Sequence, residues 1–228
     1  MLLEGSYSLD DFLLFSEEVY WRLFEVHNSA FWPLIPPALI AAALLPYLLR
    51  AAGDHRRRAA VLVTAAAWFV VAWSFFWVTY ATINWAAIYV APLFAMEGLL
   101  LLFLSAQQGI WARKVRSLPG HIGGVLLLYG LLLYPLQGLA MGRPVAAVQL
   151  FGLAPDPTAL ATLGLLMALG RGWRAGICRI VPVIWCLLSA TTLYALGSWE
   201  AWPLAVAAAL GVFIFPRKGA DAQGAAEP

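Results

Sequence analysis

Apolar residues gather along the chain in seven long runs, separated by short polar, glycine- or proline-marked breaks. The runs cover 31–49, 59–80, 85–105, 121–141, 157–173, 176–196 and 199–215. A bilayer core of roughly 30 Å needs about 20 helical residues, and most runs come close to that. No series of ten-residue alternating strands occurs, so helices are expected rather than a barrel. The pattern predicts an all-α fold, a polytopic transmembrane helix bundle of about seven helices. The fifth run is the shortest. From Pro157 to Gly170 a helix would reach about 21 Å, and a snorkelling Arg171 would extend it to Trp173. A re-entrant hairpin competes, because Pro155 and Pro157 break the apolar stretch before it.

Two segments flank the bundle of residues 31–216. Residues 1–30 read as an outer amphipathic segment that lies on the membrane interface or docks across the bundle mouth. Ser8 with Asp11 resembles a capping box. Phe12, Phe15, Val19, Leu23 and Val26 recur at helical spacing, with Ser16 interrupting or restarting the helix. Six acids against Arg22 in this stretch do not match a cleavable leader, which starts positive. Residues 217–228 are small and polar and are expected to form a disordered cytoplasmic tail.

Composition narrows the class. Of 228 residues, 63% are apolar and 11% charged, with a mean hydropathy of +0.81. A soluble domain carries about a quarter charged residues, so both a soluble and a disordered chain are excluded. No polar domain is large enough to present a basic face to nucleic acid. The lipid bilayer is the first partner implied.

The net charge of +2 hides a segregation. Twelve of the 14 basic residues fall in alternate connections: Arg50, Arg56, Arg57 and Arg58; Arg113, Lys114 and Arg116; Arg171, Arg174 and Arg179; Arg217 and Lys218. Only Arg22 and Arg143 fall on the other side. The positive-inside rule puts the twelve in the cytoplasm, the N terminus outside and the C terminus inside, as expected of a multi-pass inner (plasma) membrane protein. Most acids lean outward, which favours cations there.

Glu97 is the exception among the acids, because it lies within a predicted span. A carboxyl at that depth is costly unless protonated or paired. A proton or cation site on an inward pathway is one reading, and a protonated carboxyl gluing helices together is the other. Tyr89, Ser105 and Gln108 share the broad sector around it. In the fourth run, Gly123, Gly130, Tyr134 and Gln137 follow at spacings of seven, four and three. One face there would combine close packing with hydrogen bonding, and a lined cavity is the alternative. Trp185, Ser189 and Thr192 repeat the pattern in the sixth run, where the hydroxyls can also bond back to their own helix.

Asp156 suits an N-cap with Pro157 at the first helical position. Beside a shortened helix it also suits a binding element of the kind broken helices form in transporters. Asn84 has the same two readings, cap or entrance residue. Cys178 and Cys186 are eight residues apart, about 12 Å on a helix, too far for a disulfide. No catalytic, cofactor-binding or metal-ligand motif occurs, and His27, His55 and His121 are scattered.

Several stretches carry a resemblance. They are Tyr7-Ser8-Leu9, Asp11 to Ser16, Tyr20, Arg22-Leu23-Phe24-Glu25, Asn28, Trp32-Pro33, Tyr80 to Ala87, Tyr134-Pro135-Leu136, Gly142-Arg143-Pro144, Phe151 to Thr158 and Ile180 to Trp185. In these the chain resembles bacterial multi-pass membrane proteins of the family called domain of unknown function 6064, whose members carry permease-like names. The resemblance implies the membrane architecture, brings no established substrate or residue roles, and draws attention to Asn84 and Asp156. The function expected is a small permease or transporter for a cation, a proton-coupled solute or another small solute. Glu97 would carry the charge, while Asn84, Asp156, Tyr134, Gln137 and Tyr89 would line the approach. The alternative is a non-transporting sensor, assembly factor or subunit that binds a membrane protein partner or a second copy of itself.

Overall fold

A computed structural model describes residues 15–50, 53–107, 117–170 and 172–214. The Ser8–Asp11 capping pattern, Gln108, Trp111, Arg113, Lys114, Arg116, Arg171, Arg217, Lys218 and the tail lie outside the described residues. The described chain is helical, with one isolated bridge between Phe151 and Ala154.

An N-terminal helix, α1 (Glu17–Ala30), is followed by α2 (Ile35–Arg50), which a single turn at Trp32–Leu34 introduces. Next come α3 (Asp54–Thr82), α4 (Ala87–Ala106), α5 (Leu118–Ala140), α6 (Pro155–Leu169), α7 (Gly172–Ala195) and α8 (Ala201–Phe213). Among the described residues, five helices are long and apolar enough to cross a membrane: α2 with its leading turn, α3, α4, α5 and α7. The chain is a multi-span membrane helix bundle. The α6 and α8 helices coincide with the two remaining apolar runs but are shorter, with 15 and 13 residues.

The centre of the bundle is α6. Every one of its 15 residues is buried, and it packs on α3, α5, α7 and α8. Its contact with α5 is backbone on backbone. A Cβ added to Gly123 would stand 2.6 Å from Ala168 N and Gly164 O, and one on Gly164 would stand 2.3 Å from Leu127 N. Without a hydrophobic drive between helices in lipid, small residues that let backbones meet supply the packing.

The central helix starts inside the protein. Its head was expected at Pro157 with Asp156 as cap, but the cap residue is Ala154 and Pro155 is the first helical residue. The cause is hydrogen-bond accounting. A helix leaves its leading N–H groups without partners inside the helix, and in a buried setting each costs free energy. Here Ala154 N–H donates to Leu150 O (2.8 Å), Pro155 and Pro157 have no N–H, and only Asp156 is left. The Thr158 hydroxyl donates to Ala154 O (2.7 Å) and accepts from Gly152 N–H (2.9 Å), tying the incoming strand to the helix. Gly152, at φ 78°, turns that strand against Ala67 near the middle of α3. At the other end, Arg179 donates to Leu166 O (2.9 Å) and to Ile214 O (2.8 Å), joining the last turns of α6 and α8. The fifth run is therefore a short helix approached through buried irregular backbone. Such backbone is tolerated at membrane depth only inside protein or along a cavity.

Two long helices carry π-helical stretches, Val71–Thr79 in α3 and Tyr129–Leu133 in α5. The second has a clear cause. Pro135 has no N–H to offer the preceding turn, and the widened turn absorbs the loss.

Ser16 caps α1, accepting from Val19 N–H (3.4 Å). The expected apolar face of α1 is only partly the buried one. Leu23 is buried, but Val19 and Val26 are exposed, and the docked face is Tyr20, Leu23, Phe24, His27 and Asn28. Polar partners explain the rotation. Asn28 donates to the carbonyls of Ala146 (2.7 Å) and Val148 (2.9 Å), while Phe24 stacks on Phe75.

Candidate functional site

The polar residues of the interior concentrate at the head of α6, on the face that also holds α1, the 83–86 turn and the 196–200 turn. Asp156 is fully buried. The Tyr134 hydroxyl donates to its Oδ2 (2.8 Å) and the Trp185 indole N–H to its Oδ1 (2.8 Å). Both oxygens thus accept, and no cationic side chain pairs with them among the described residues. The nearest guanidinium, Arg143, is committed elsewhere. It forks onto Glu200, with Nη1 to Oε1 at 3.0 Å and Nη2 on Oε2, and lies over the Trp21 ring at 3.2 Å from its centre.

A cavity of about 110 Å³ adjoins this carboxylate. Tyr20, Tyr80, Asn84, Trp185, Ser189 and Thr192 are among its lining residues. The lining also includes Pro155, so the acid lies immediately behind the wall. Ser189 is buried at the cavity wall, and its hydroxyl stands close enough to Asp156 to act on the carboxylate as a hydrogen-bond donor. Asn84 accepts from Ala86 N–H (3.0 Å), fixing the turn that leads into α4 at the cavity rim. Tyr20 comes from α1, which closes one side. Burial, and after it the charge of Asp156, push the Tyr20 hydroxyl well above its ordinary range.

Of the six residues selected from sequence, Asn84 lines this cavity, and Asp156 and Tyr134 meet behind its wall. Gln137 does not join them. It accepts from the Tyr129 hydroxyl (2.5 Å), eight residues back across the π-helical turn. Tyr89 is 70% exposed and points away from the bundle. Glu97 is fully buried, yet neither of its oxygens has a partner among the described residues. Beside it, Gly98 is pressed against the Phe69 ring, where a Cβ would come within 2.9 Å. None of the four cavities described is lined by Glu97. It occupies packed interior on α4, separate from the cluster at the head of α6.

The other residues of the site had sequence signals of different strength. Trp185, Ser189 and Thr192 fall at one helical spacing, and their placement follows from it. Tyr20 had no such signal, because only docking of α1 brings it to the cavity. His27, expected near an interface, is fully buried. The Thr79 hydroxyl donates to Ser74 O (2.8 Å), so the His27 Nδ1–H donates to Thr79 Oγ1 (3.0 Å). Burial lowers its pKa to about 4. Among the described residues no group of three His, Cys, Asp or Glu gathers at metal-binding distance.

No curated protein and no solved structure gives a significant match to the chain. A family model does match, over residues 17–225, which takes in α1, the α6 head and all the cavity residues. The chain therefore belongs to the family of unknown function DUF6064, multi-pass membrane proteins of permease-like naming.

Proposed function

We propose that this protein is a small permease-like carrier of the bacterial inner membrane that takes a small cation from the outer side. One observation carries the reading: a carboxylate buried at the first turn of a helix that begins inside the bundle, beside a cavity on the α1 face. Interrupted helices whose ends meet a ligand within the membrane are how many carriers build their sites. The basic residues Arg50, Arg56, Arg57, Arg58 and Arg174 lie on the opposite face, which the positive-inside rule makes cytoplasmic. The cavity then opens outward, α1 lies outside, and seven helices cross. Asp156 is the binding carboxylate, Tyr134 and Trp185 hold its orientation, and Asn84 marks the entrance. Glu97, without a partner deeper in the bundle, takes up a proton as the coupled step.

The test is cation uptake into proteoliposomes against membrane potential and pH. Wild type is expected to carry flux, Asp156→Asn to lose it, and Glu97→Gln to keep binding but lose the pH dependence. Folded wild-type protein without flux for any inorganic or ammonium cation would overturn the proposal, as would unchanged flux in Asp156→Asn. A second reading, a non-transporting subunit that holds a membrane partner, draws on α2. That helix turns Leu39, Ile40, Leu44 and Tyr47 outward. Absent flux together with a stoichiometric co-purifying partner would favour it.

A further inference from the structure

We propose that the cavity beside Asp156 binds a small organic ammonium ion, of methylammonium to tetramethylammonium size, between the rings of Tyr20, Tyr80 and Trp185. The inference rests on the outer cavity being the carrier's binding site and goes on to name the chemical class that fits it.

Charge comes first. Asp156 is buried and accepts a hydrogen bond at each oxygen, an arrangement an ionised acid can take because it is acceptor-only. Glu200 adds a second acid within electrostatic reach. The guanidinium of Arg143 is used by Glu200 and by the Trp21 ring. With both acids ionised, two negative charges against one positive leave a surplus beside the cavity, and the low dielectric of the interior lets it act across the Trp185 ring.

Wall chemistry comes second. Tyr20, Phe75, Tyr80 and Trp185 supply aromatic surface, and Ala86, Ala87, Val90 and Leu188 supply alkyl surface. Aromatic walls with an acid behind them suit an alkylated cation, which is attracted by ring faces and has little hydration to lose. A bare metal ion asks for about six or more oxygen ligands in close array, which these walls do not offer. Trp185 is held in place by its hydrogen bond to Asp156, and Phe76 and Phe94 pack on its ring at 5.1 Å between centres, so the wall is fixed before any ligand enters. The buried Ser189 hydroxyl lines the cavity beside Asp156, and its oxygen lone pairs are the acceptor for an ammonium N–H.

Size comes third. An apolar cavity of about 150 Å³ takes benzene, with its six heavy atoms. At about 110 Å³ this cavity takes roughly four or five. Trimethylammonium and tetramethylammonium fall in that range, and methylammonium fits with a water.

The experiment uses the full chain in detergent, titrated with tetramethylammonium, methylammonium, potassium and the neutral tert-butanol. Heat of binding and the rise in melting temperature are both read. Saturable binding of at least one of the two ammonium ions is expected, with neither potassium nor tert-butanol competing. Asp156→Asn is expected to weaken binding by about tenfold or more. Should that variant not fold, Tyr80→Leu at the cavity rim is expected to weaken it by about tenfold and Tyr80→Phe to preserve it. Equal binding of tert-butanol or potassium would overturn the proposal, as would equal losses in Tyr80→Phe and Tyr80→Leu. Ammonium binding without flux in proteoliposomes leaves this inference standing and removes the carrier reading. Flux of another cation with no ammonium binding removes this inference alone.

Discussion

If α6 is held by backbone contact with α5, one added methyl on the contact face should do more harm than the same methyl one residue away. Gly123 and Gly124 provide that pair. A Cβ on Gly123 meets Ala168 N and Gly164 O at 2.6 Å and Met167 Cβ at 2.9 Å, whereas a Cβ on Gly124 meets nothing within 4 Å. Bringing the 2.6 Å approaches to about 3.4 Å requires the two helices to part by about 0.8 Å. The atoms struck are backbone, so no rotamer change relieves them, and α6 is enclosed on its other sides. Overpacking costs about 1–3 kcal/mol, and this contact belongs at the upper end. Both variants gain the same helix propensity, about 1 kcal/mol for alanine over glycine, so the difference between them isolates the clash. By the scaling for chains of this size, about 2–3 kcal/mol lowers the melting temperature by roughly 5–10 °C. Melting of each variant, followed by near-ultraviolet circular dichroism of the tryptophans in detergent, reads this directly. Gly123→Ala melting within about 1 °C of Gly124→Ala would refute the close approach of α5 and α6.

Two further predictions concern the docking of α1. His27 is buried and neutral with a pKa near 4, against 6.5 for a free histidine. Its contribution is complete above about pH 6.5 and is lost as pH falls towards 4, amounting to about 2 kcal/mol at pH 5. A cysteine placed at Asn84 should therefore react faster with a membrane-impermeant maleimide at pH 5 than at pH 7, after correction for thiol ionisation, and His27→Gln should abolish the change. Arg143→Ala leaves Glu200 buried without its partner, at a cost of about 3–5 kcal/mol. The melting temperature should fall accordingly, and adding Glu200→Gln should recover part of the loss. Full stability in Arg143→Ala would sink the idea that Arg143, paired with Glu200 before α8 and lying over Trp21 of α1, ties these elements together.

The hydrophobic runs located the helices because an apolar run of spanning length has few alternatives in a membrane protein. The ends were harder to read. Asp156-Pro157 is a good cap signal for a helix that starts in water, where any side-chain oxygen near the first turn helps. Inside the bundle the constraint changes. The best start is the one that leaves the fewest N–H groups unpaired, and Pro155 with Pro157 meets it two residues earlier. The doubled proline was visible in the sequence; the environment that gives it this meaning was not. The face of α1 was misjudged for a related reason. Periodicity counts Val19 and Val26 as interior, but lipid accepts valine as readily as the bundle does, whereas Asn28 and His27 need specific partners and find them only on the bundle side.

The same reasoning separates the two acids. Glu97 drew attention because a carboxyl in a spanning run is expensive, yet cost alone does not distinguish a site from a protonated group in a packed contact. Asp156 looked like an ordinary cap and had an ordinary explanation. What distinguishes it is convergence from distant parts of the chain: Tyr134 from α5, Trp185 and Ser189 from α7, Tyr20 from α1, with Asn84 at the rim. Apart from Trp185 and Ser189, four residues apart on α7, none of those separations follows a helical repeat, so no periodicity argument could assemble the set. A single buried acid is a matter of stability until other elements bring donors and space to it, and in this bundle they do so at Asp156.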